Sequence, residues 1–348
     1  SHPFADKQTG AAHACGHNSQ ISGIIGAAIA LSESGVLPYL GGKIAFMAVP
    51  AEEFNDMNYR LSLRKQGKIS FLSGKQEFIK IGCFDDINIS MMIHASSTTG
   101  IAESYNGFVF KVSRFEGRAS HAAASPHIGI NALQSAHIAL AALNAQNETY
   151  LDEEHARVHS IFEISSPAVN VIASEVLMET QIRASTVNSI LEAAKKADRA
   201  IMAGALALGA KVSIETIPGY MPMVQNKVLV DIYKNNLTSF IKSEDFHYIP
   251  YQASSTDMGD VSQIMPSIHP YLAGWQGVSH GNDFKVVDKY MAYVLPAKVL
   301  AMCLVDLLWD NASSAKKIIR ETQVPLTKEK YLKIQEKNFN TVVYDYSQ

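Results

Sequence analysis

The sequence has few cysteines, and their number does not suit a disulfide scaffold. Only three occur in 348 residues, namely Cys15, Cys83 and Cys303. Because disulfide-stabilised domains carry many paired cysteines, an odd and sparse count indicates a reducing compartment and predicts a cytoplasmic protein. We interpret Cys83 and Cys303 as small buried hydrophobic residues, the usual environment of a free cysteine.

The sequence also lacks long apolar runs and any surplus of positive charge. Runs such as 24–31 and 299–308 are much shorter than the roughly 20 residues that span a bilayer. The formal net charge is −3, and no basic stretch stands out. A protein that binds a polyanion normally shows a basic patch, so we expect neither a nucleic acid nor a membrane as partner. Internal repeats and low-complexity linkers are absent as well.

The first part of the chain has the pattern of an α/β layer. Two apolar segments, 43–49 and 87–93, predict buried strands, and the alanine-rich segment 21–34 predicts a helix. Such alternation is typical of a mostly parallel sheet covered by helices. His94 directly follows the second apolar segment, and active sites of such sheets lie at the exits of strands.

The middle of the chain predicts a different domain. Strands are expected at 108–113, 158–164, 176–183 and 211–217, and helices at 128–145 and 187–208. The resulting β-α-β-β-α-β order is that of a ferredoxin-like fold. We therefore predict an inserted α+β domain at 108–217 between the two parts of an α/β domain, 1–107 and 218–348. A helix is expected at 296–309, followed by a charged helical tail.

Two short motifs could carry chemistry. Cys15 and His17 flank Gly16, so a tight turn would let a thiolate and an imidazole reach one metal ion. The same residues also suit a nucleophilic cysteine with a histidine base. Glu52 and Glu53 follow a predicted strand, where adjacent side chains point in different directions. One carboxylate could then bind a metal while the other faces a substrate water.

Three further histidines complete the candidate set. His94 follows an apolar segment, His121 lies in a loop of small residues, and His280 lies in a glycine-containing loop near the end of the chain. One thiol, several imidazoles and carboxylates form a donor set that suits zinc, manganese or cobalt. Two such ions would activate a water molecule near neutral pH.

In combination these motifs resemble the M20 metallopeptidases, and within them the amidohydrolase branch that includes aminoacylase-like and aminobenzoyl-glutamate hydrolase-like enzymes. The resemblance extends from residue 13 to about residue 309. It rests on His-Ala-Cys-Gly-His at 13–17, Pro-Ala-Glu-Glu at 50–53, Ile-His-Ala at 93–95, Gly-Arg-Ala-Ser-His-Ala at 117–122, Val-Asn-Val-Ile at 169–172, Ile-Arg-Ala at 182–184, and His280. It implies a mixed-sheet, zinc-peptidase-like catalytic domain with a ferredoxin-like lid that forms a homodimer.

The resemblance also implies a role for each matching residue. Two divalent metal ions would be held by Cys15, His17, Glu53, His94 and His280. Glu52 matches the general base, and His121 matches a histidine that stabilises the oxyanion. Asn170 matches an asparagine near the substrate. Arg183 matches an arginine that grips a substrate carboxylate, for which a guanidinium is well suited.

Departures from the family pattern bear on the substrate. Many members of the branch have Asp where this chain has Asn18, and His where it has Gln20. The Asn form is closer to the aminobenzoyl-glutamate hydrolase-like and dipeptidase-like subgroup, as is Ser-Thr-Asp-Met-Gly-Asp-Val-Ser at 255–262. The family resemblance as a whole implies N-acyl amino acids, aminobenzoyl-glutamate-like conjugates or dipeptides as substrates. Family members also carry a stretch before the Cys-Gly-His motif, so we expect part of the catalytic domain to be missing. Two alternatives remain: an impaired binding protein on the same fold, and a cysteine hydrolase that uses Cys15.

Overall fold

The computed structural model describes residues 5–164 and 168–347, which form two compact units. The first unit comprises 5–104, 224–252 and 260–327, and the second comprises 105–164, 168–223, 253–259 and 328–347. The α-helices are α1 His17–Glu33, α2 Met57–Lys65, α3 Gly74–Ile81, α4 Ala132–Ala145, α5 Val187–Leu208, α6 Lys227–Leu237, α7 Met258–Ser262, α8 Leu295–Glu321 and α9 Lys328–Asn338.

Fifteen strands accompany these helices in the described residues. They are β1 Ser90–Met91, β2 His94–Ala95, β3 Gly100–Ala102, β4 Ser104–Tyr105, β5 Gly107–Glu116, β6 Arg157–Ile164, β7 Glu175–Ala184, β8 Lys211–Pro218, β9 Met223–Val224, β10 His247–Ile249, β11 Ser267–Ile268, β12 Tyr271–Leu272, β13 Trp275–Gln276, β14 Lys285–Val286 and β15 Asn340–Asp345. Most strands of the first unit are two or three residues long, whereas four strands of the second unit have eight or ten.

The first unit has a mixed sheet with helices packed around it. Its four-stranded sheet has the order β10-β3-β12-β2, with parallel pairs at both ends and an antiparallel pair between them. The core combines apolar residues of α1, α6 and α8, including Ala27, Leu229 and Val299, with strand residues such as Ile101. The α/β class that we expected from the sequence is confirmed for this unit.

The helix at Tyr290–Glu321 is long and apolar enough to cross a membrane by length and composition alone. However, 56% of its most apolar window is buried inside the protein. Several of its residues, such as Leu295 and Leu307, belong to the core of the first unit. The backbone also leaves helical geometry at Trp309–Ala312. These features are those of a core helix.

The two cysteines outside the metal motif have different environments. Cys303 is buried in the core of the first unit, as expected. Cys83 is exposed, so its prediction as a buried residue is wrong. It follows Gly82, the left-handed residue that ends α3, and the next residue, Phe84, is the one that is buried.

The predicted strand at 43–49 is wrong. This segment has no regular secondary structure, and it forms no ladder with any strand of the described residues. Ile44 and Met47 are half-buried, and Phe46 is exposed. A strand needs a hydrogen-bonded neighbour, and an apolar run by itself does not supply one. The predicted strand at 87–93 is present only in part, as β1.

The second unit contains the predicted β-α-β-β-α-β order. Its antiparallel five-stranded sheet has the order β15-β8-β5-β7-β6, and β5 pairs with both β7 and β8. Helices α4 and α5 pack on this sheet through alanines such as Ala136 and Ala197. Side chains cap both helices at their starts, because Asn131 accepts the Gln134 amide and Thr186 accepts the Ser189 amide.

The tail differs from the sequence prediction. Residues 328–347 belong to the second unit, although we expected them in the first domain. Strand β15 pairs with β8 along its whole length, from Asn340 opposite Thr216 to Asp345 opposite Lys211. Its side chains are mostly exposed, so the segment has none of the apolar alternation by which a strand is recognised. This strand is held by backbone hydrogen bonds to β8 at the edge of the sheet, and not by the burial of an apolar face.

Candidate metal centre

Cys15 and His17 lie at the start of α1, where Gly16 turns the chain. Gly16 has φ +85, which is left-handed, and it precedes the first residue of the helix. A Cβ at this position would collide with the side chain of Ala95. Glycine is therefore required both by the turn and by the close approach of the chain to β2. The turn brings the Cys15 sulfur and the His17 ring to one side of the first unit.

Glu52 and Glu53 lie in a loop and not at the exit of a strand. The preceding residue, Ala51, has φ 59, so the chain turns sharply before the two carboxylates. The amide of Gly74, at the start of α3, donates to the Ala51 carbonyl over 3.4 Å. Both glutamates are half-buried. The loop presents both carboxylates to His17, at 3.5 Å for Glu52 and 4.0 Å for Glu53, and the strand predicted before them is absent from the described residues. The division of roles between the two glutamates stays a prediction.

His94 begins β2 and is held by its neighbours on β12. Its backbone amide donates to the Pro270 carbonyl over 2.8 Å, and His94 pairs in parallel register with Tyr271. Its Nδ1 lies 2.8 Å from the Ala95 carbonyl oxygen, so Nδ1 carries the proton. The other nitrogen, Nε2, lies 3.4 Å from the Cys15 sulfur. A histidine in this tautomer offers Nε2 as a ligand.

Burial controls the charge of the His94 ring. It lowers the pKa of His94 to about 4, opposed by the hydrogen bond to Ala95 and assisted by the charge of His17. At neutral pH the imidazole is therefore uncharged, which is the form that binds metal ions.

His280 reaches the site from a loop. Its φ of 65 is left-handed, and its amide donates to the Ala14 carbonyl over 2.7 Å. Its Nε2 lies 3.0 Å from Oε1 of Glu53. These two contacts connect the loop of His280 with the segment before α1 and with the loop that carries Glu52 and Glu53, which we call the carboxylate loop.

The side chains of Cys15, His17, Glu52, Glu53, His94 and His280 form three overlapping groups. Within each group, the potential ligand atoms lie within 4.8 Å of one another. The groups are Cys15, His17 and His94; Cys15, Glu53 and His280; and His17, Glu52 and Glu53. Two atoms bound to one tetrahedral zinc lie about 3.3–3.8 Å apart, given bonds of roughly 2.0–2.3 Å. The distance from the Cys15 sulfur to His94 Nε2, 3.4 Å, falls in that range, and the distance from His17 Nε2 to Glu53 Oε1, 4.0 Å, lies just above it. The donor set therefore fits divalent metal ions, with the Cys15 sulfur common to two groups.

The thiol of Cys15 is not prepared to act as a nucleophile. Burial raises the pKa of Cys15 to about 12, and the charges of Glu53 and Glu52 raise it further in the same direction. A reactive cysteine needs a depressed pKa and a cationic partner, and His94 beside it is neutral. The environment therefore favours a metal ligand, which loses its proton only when a metal ion replaces it.

Two aromatic side chains behind His94 were not predicted from the sequence. The His269 ring lies 5.5 Å from the His94 ring, and the Tyr271 ring lies 5.8 Å from it, centroid to centroid. His269 is fully buried, and its amide donates to the Gln225 side chain over 3.0 Å. The signal for His269 was available, because it follows the apolar residue that ends β11 as His94 follows the apolar segment before it.

Arg60 was also missed. It lies on α2, and its guanidinium donates to three backbone carbonyls, two of them in the carboxylate loop. Arg60 is one of two arginines in a polar helix, and its position in the sequence gives no sign of such a role.

The remaining predicted residues, His121, Asn170 and Arg183, lie in the second unit. The amide of Ala122 donates to the Asn170 carbonyl over 2.9 Å, so His121 and Asn170 lie on neighbouring segments. Nδ1 of His121 accepts the amides of Ala123 and Ala124 over 3.2 and 3.1 Å. Nε2 of His121 therefore carries the proton and can donate. Their roles in a reaction stay predictions.

Arg183 lies on β7 within a polar and aromatic environment. Its Nη1 donates to the Ser255 hydroxyl over 2.7 Å, and its Nε donates to the Gln181 side chain over 3.1 Å. The guanidinium carbon lies 5.2 Å from the centre of the Phe108 ring. These contacts fix the plane of the guanidinium, which is the condition for bidentate binding of a carboxylate.

Comparison with known proteins gives a consistent result. The family model described as Peptidase family M20/M25/M40 matches residues 1–301. The Xaa-Arg dipeptidase of Mus musculus is 29% identical over 313 residues, which cover 86% of this chain and 68% of the relative. One chain of the p-aminobenzoyl-glutamate hydrolase of Escherichia coli (strain K12) is 31% identical over 169 residues, which cover 47% of this chain and 31% of the relative.

Solved structures share the fold. A putative aminohydrolase from methicillin-resistant Staphylococcus aureus has a TM-score of 0.70 at 20% identity, covering 88% of this chain and 77% of that one. A dinuclear metal-binding peptidase of the M20 family from Bacillus subtilis has a TM-score of 0.65 at 18% identity, covering 88% and 76%.

Proposed function

The chain belongs to peptidase family M20/M25/M40 and is a metal-dependent peptidase or amidohydrolase, and we propose that it cleaves small substrates that carry a free carboxylate beside the scissile amide. Dipeptides, N-acyl amino acids and aminobenzoyl-glutamate-like conjugates meet this description. Dipeptides stand first, because the Xaa-Arg dipeptidases match over 86–87% of this chain. The observation that carries the proposal is the cluster in which Cys15 is common to two ligand groups.

In the proposed site, two divalent ions would be held by Cys15, His17, Glu53, His94 and His280. Bound there, such ions lower the pKa of a water molecule to about 7 and polarise a carbonyl group. The thiol and imidazole donors favour zinc, and the carboxylates also admit manganese or cobalt. His94 needs no deprotonation to take part, since burial holds its pKa at about 4.

Glu52 is the proposed general base. It is half-buried, and its Oε2 lies 3.5 Å from Nε2 of His17. It is absent from both groups that contain Cys15, so metal binding through Cys15 does not require its carboxylate. Glu52 would accept a proton from the attacking water and pass it to the leaving amine, which typically contributes a factor of about 10²–10⁴ to the rate.

Three further roles are proposed for residues of the second unit. The proton on Nε2 of His121 makes this ring a donor for a developing oxyanion, as the M20 resemblance implies. Asn170, on the neighbouring segment, would contact the substrate. Arg183 would bind the substrate carboxylate, because its guanidinium is already oriented by Ser255 and Gln181. Of these three assignments, that of Arg183 supports a substrate with a negative charge next to the cleaved bond.

We also propose a homodimer through the second unit, in the cytoplasm. Strand β6 forms one edge of the five-stranded sheet, and Ile161 on it is 66% exposed, which leaves backbone groups and an apolar side chain for a second copy. Sedimentation of the purified protein should give twice the chain mass of 38.0 kDa. A monomer at micromolar concentration would exclude the dimer.

A substrate screen tests the proposed activity. Metal-free protein is reloaded with zinc, manganese or cobalt and is offered Xaa-Arg dipeptides, other dipeptides, N-acyl amino acids and p-aminobenzoyl-glutamate. We expect hydrolysis of at least one carboxylate-bearing class, its loss when the carboxylate is amidated, and no turnover without metal. A protein that binds metal but hydrolyses none of these compounds would instead be the impaired binding protein.

A further inference from the structure

The loop that carries Glu52 and Glu53 has no regular secondary structure and contains a strained residue. Ala51 has a left-handed φ of 59, which alanine rarely adopts. Such a conformation persists only where the surrounding structure holds it. The orientation of both carboxylates therefore depends on contacts that other segments make with the backbone of this loop.

Arg60 contacts this backbone at two points. Its Nη2 donates to the Glu53 carbonyl over 2.5 Å, and its Nη1 lies 3.4 Å from the Ala51 carbonyl oxygen. These two carbonyls flank Glu52. Nη1 also donates to the Leu72 carbonyl over 2.8 Å, which ties the loop to the segment before α3. A planar guanidinium is the side chain that can serve three acceptors in one geometry.

The far side of the loop is fixed by α3. A Cβ on Gly74 would collide with the Pro50 carbonyl oxygen, so the helix start lies directly against the loop. Glu77 accepts the amides of Ser70 and Phe71, each over 2.9 Å, and thereby holds the segment that leads into α3. Arg60 thus joins two fixed parts, α2 on one side and the start of α3 on the other.

We propose that Arg60 is a positioning residue for the two glutamates: it holds the backbone on both sides of Glu52, so that Glu52 faces His17 and Glu53 faces His280. This rests on the proposed function, in which Glu52 is the base and Glu53 a metal ligand. Arg60 contacts carbonyl groups of the chain, so it acts through these residues and not on the substrate. A lysine at this position would place a single compact ammonium group where the guanidinium now donates to three carbonyl groups, so it could not reproduce all three contacts.

Arg64 provides a matched control. It lies one turn further along α2 and donates from Nε to the Ser70 carbonyl over 3.0 Å, outside residues 51–53. Substitution of either arginine removes a guanidinium that tethers the same helix. Only substitution of Arg60 removes the contacts to Ala51 and Glu53.

The test compares Arg60→Lys, Arg60→Ala, Arg64→Lys and wild type. Metal-free protein is titrated with zinc, and kcat and KM are measured on the best substrate of the screen. We expect Arg60→Lys to bind zinc about 10- to 100-fold more weakly, as for other residues that orient metal ligands. Its kcat should fall by a similar factor with KM near the wild-type value, because the substrate contacts are intact. Arg64→Lys should behave like wild type.

Chemical rescue separates positioning from general stabilisation. Added guanidinium should restore zinc affinity to Arg60→Ala, and methylammonium should not. The proposal is overturned if Arg60→Lys has the zinc affinity and kcat of wild type. It is also overturned if Arg64→Lys loses as much zinc affinity and kcat as Arg60→Lys. If Arg60→Ala does not fold, the result for Arg60→Lys decides. The zinc titration needs no substrate, so a wild type that binds zinc but hydrolyses nothing refutes the proposed function alone.

Discussion

Nε2 of His280 lies 3.0 Å from Oε1 of Glu53, and both residues lie in loops outside any helix or strand. The two loops come from distant parts of the chain and meet beside Cys15. Since no regular element fixes either side chain, the metal centre depends on local backbone geometry at a few residues. Substitutions at these residues and changes of pH should therefore alter metal binding in specific ways.

The first prediction concerns His280. His280→Asn keeps a residue that tolerates the left-handed backbone but replaces the imidazole. We expect the loaded protein to retain one metal ion where wild type retains two. Its kcat should fall by more than the roughly 10- to 100-fold that results from substituting a residue that only orients a metal ligand. Because the side chain is 61% exposed, unfolding of the metal-free protein should change by less than about 0.5 kcal/mol.

Elemental analysis and urea unfolding measure these quantities. His247→Asn is the control, because His247 is an exposed histidine of the same unit outside the cluster. Two retained ions in His280→Asn would show that His280 is not a ligand.

The second prediction separates backbone strain from collision at Gly16. Gly16→Ala places a methyl group in a left-handed conformation and against Ala95, whereas Gly35, with φ +71, has open space around it. We expect Gly35→Ala to lose about 1 kcal/mol of unfolding free energy and Gly16→Ala to lose at least about 1–3 kcal/mol, together with metal binding. Equal effects of the two substitutions on stability and metal content would contradict the proposed turn.

The third prediction is a pH dependence of metal binding. Because the Cys15 pKa is raised to about 12, the metal-free protein carries a thiol at neutral pH and must release its proton on loading. His94 has a pKa of about 4 and contributes none. The apparent affinity should therefore rise about tenfold per pH unit between roughly pH 6 and 8, with about one proton released per chain. Calorimetry in buffers of different ionisation enthalpy measures the released proton; an affinity independent of pH would contradict Cys15 as a ligand.

The fourth prediction excludes the cysteine hydrolase. In metal-free protein at neutral pH, iodoacetamide should modify the exposed Cys83 and leave Cys15 largely unmodified, because alkylation requires the thiolate. Mass spectrometry of peptides locates the modification. Rapid alkylation of Cys15 with loss of activity in metal-free protein would favour Cys15 as nucleophile.

Elements with a strong local pattern were predictable. Helix α5 has the bounds expected from the sequence, since its apolar period is bracketed by the cap at Thr186 and a left-handed Gly209. The segment 43–49 has an equally apolar composition and forms no ladder within the part of the chain that the structure describes, because strand pairing depends on a neighbour that composition does not encode. Strand β15 was missed for the opposite reason: its side chains are exposed, and backbone pairing with β8 alone defines it.

In the candidate site, too, some residues were predictable from the sequence and others were not. Family motifs indicated Cys15, His17, Glu53, His94 and His280, and the structure brings them into overlapping groups with Glu52. The residues that hold them were not predicted. Arg60 acts on carbonyl groups, and His269 packs against His94. Contacts to backbone carbonyls, such as those of Arg60, leave no spacing rule in a sequence, whereas the position of His269 after the apolar end of β11 is a signal that the sequence does contain.

Glu52→Gln tests the central claim most directly. Glutamine keeps the size of the side chain but cannot accept the proton of an attacking water, so the metal centre should form while catalysis fails. Metal content and turnover are measured on the same preparation, loaded with zinc or manganese. We expect two metal ions per chain, as in wild type, with kcat lowered by about 10²- to 10⁴-fold. Wild-type turnover by fully loaded Glu52→Gln would contradict the role of Glu52 as the base.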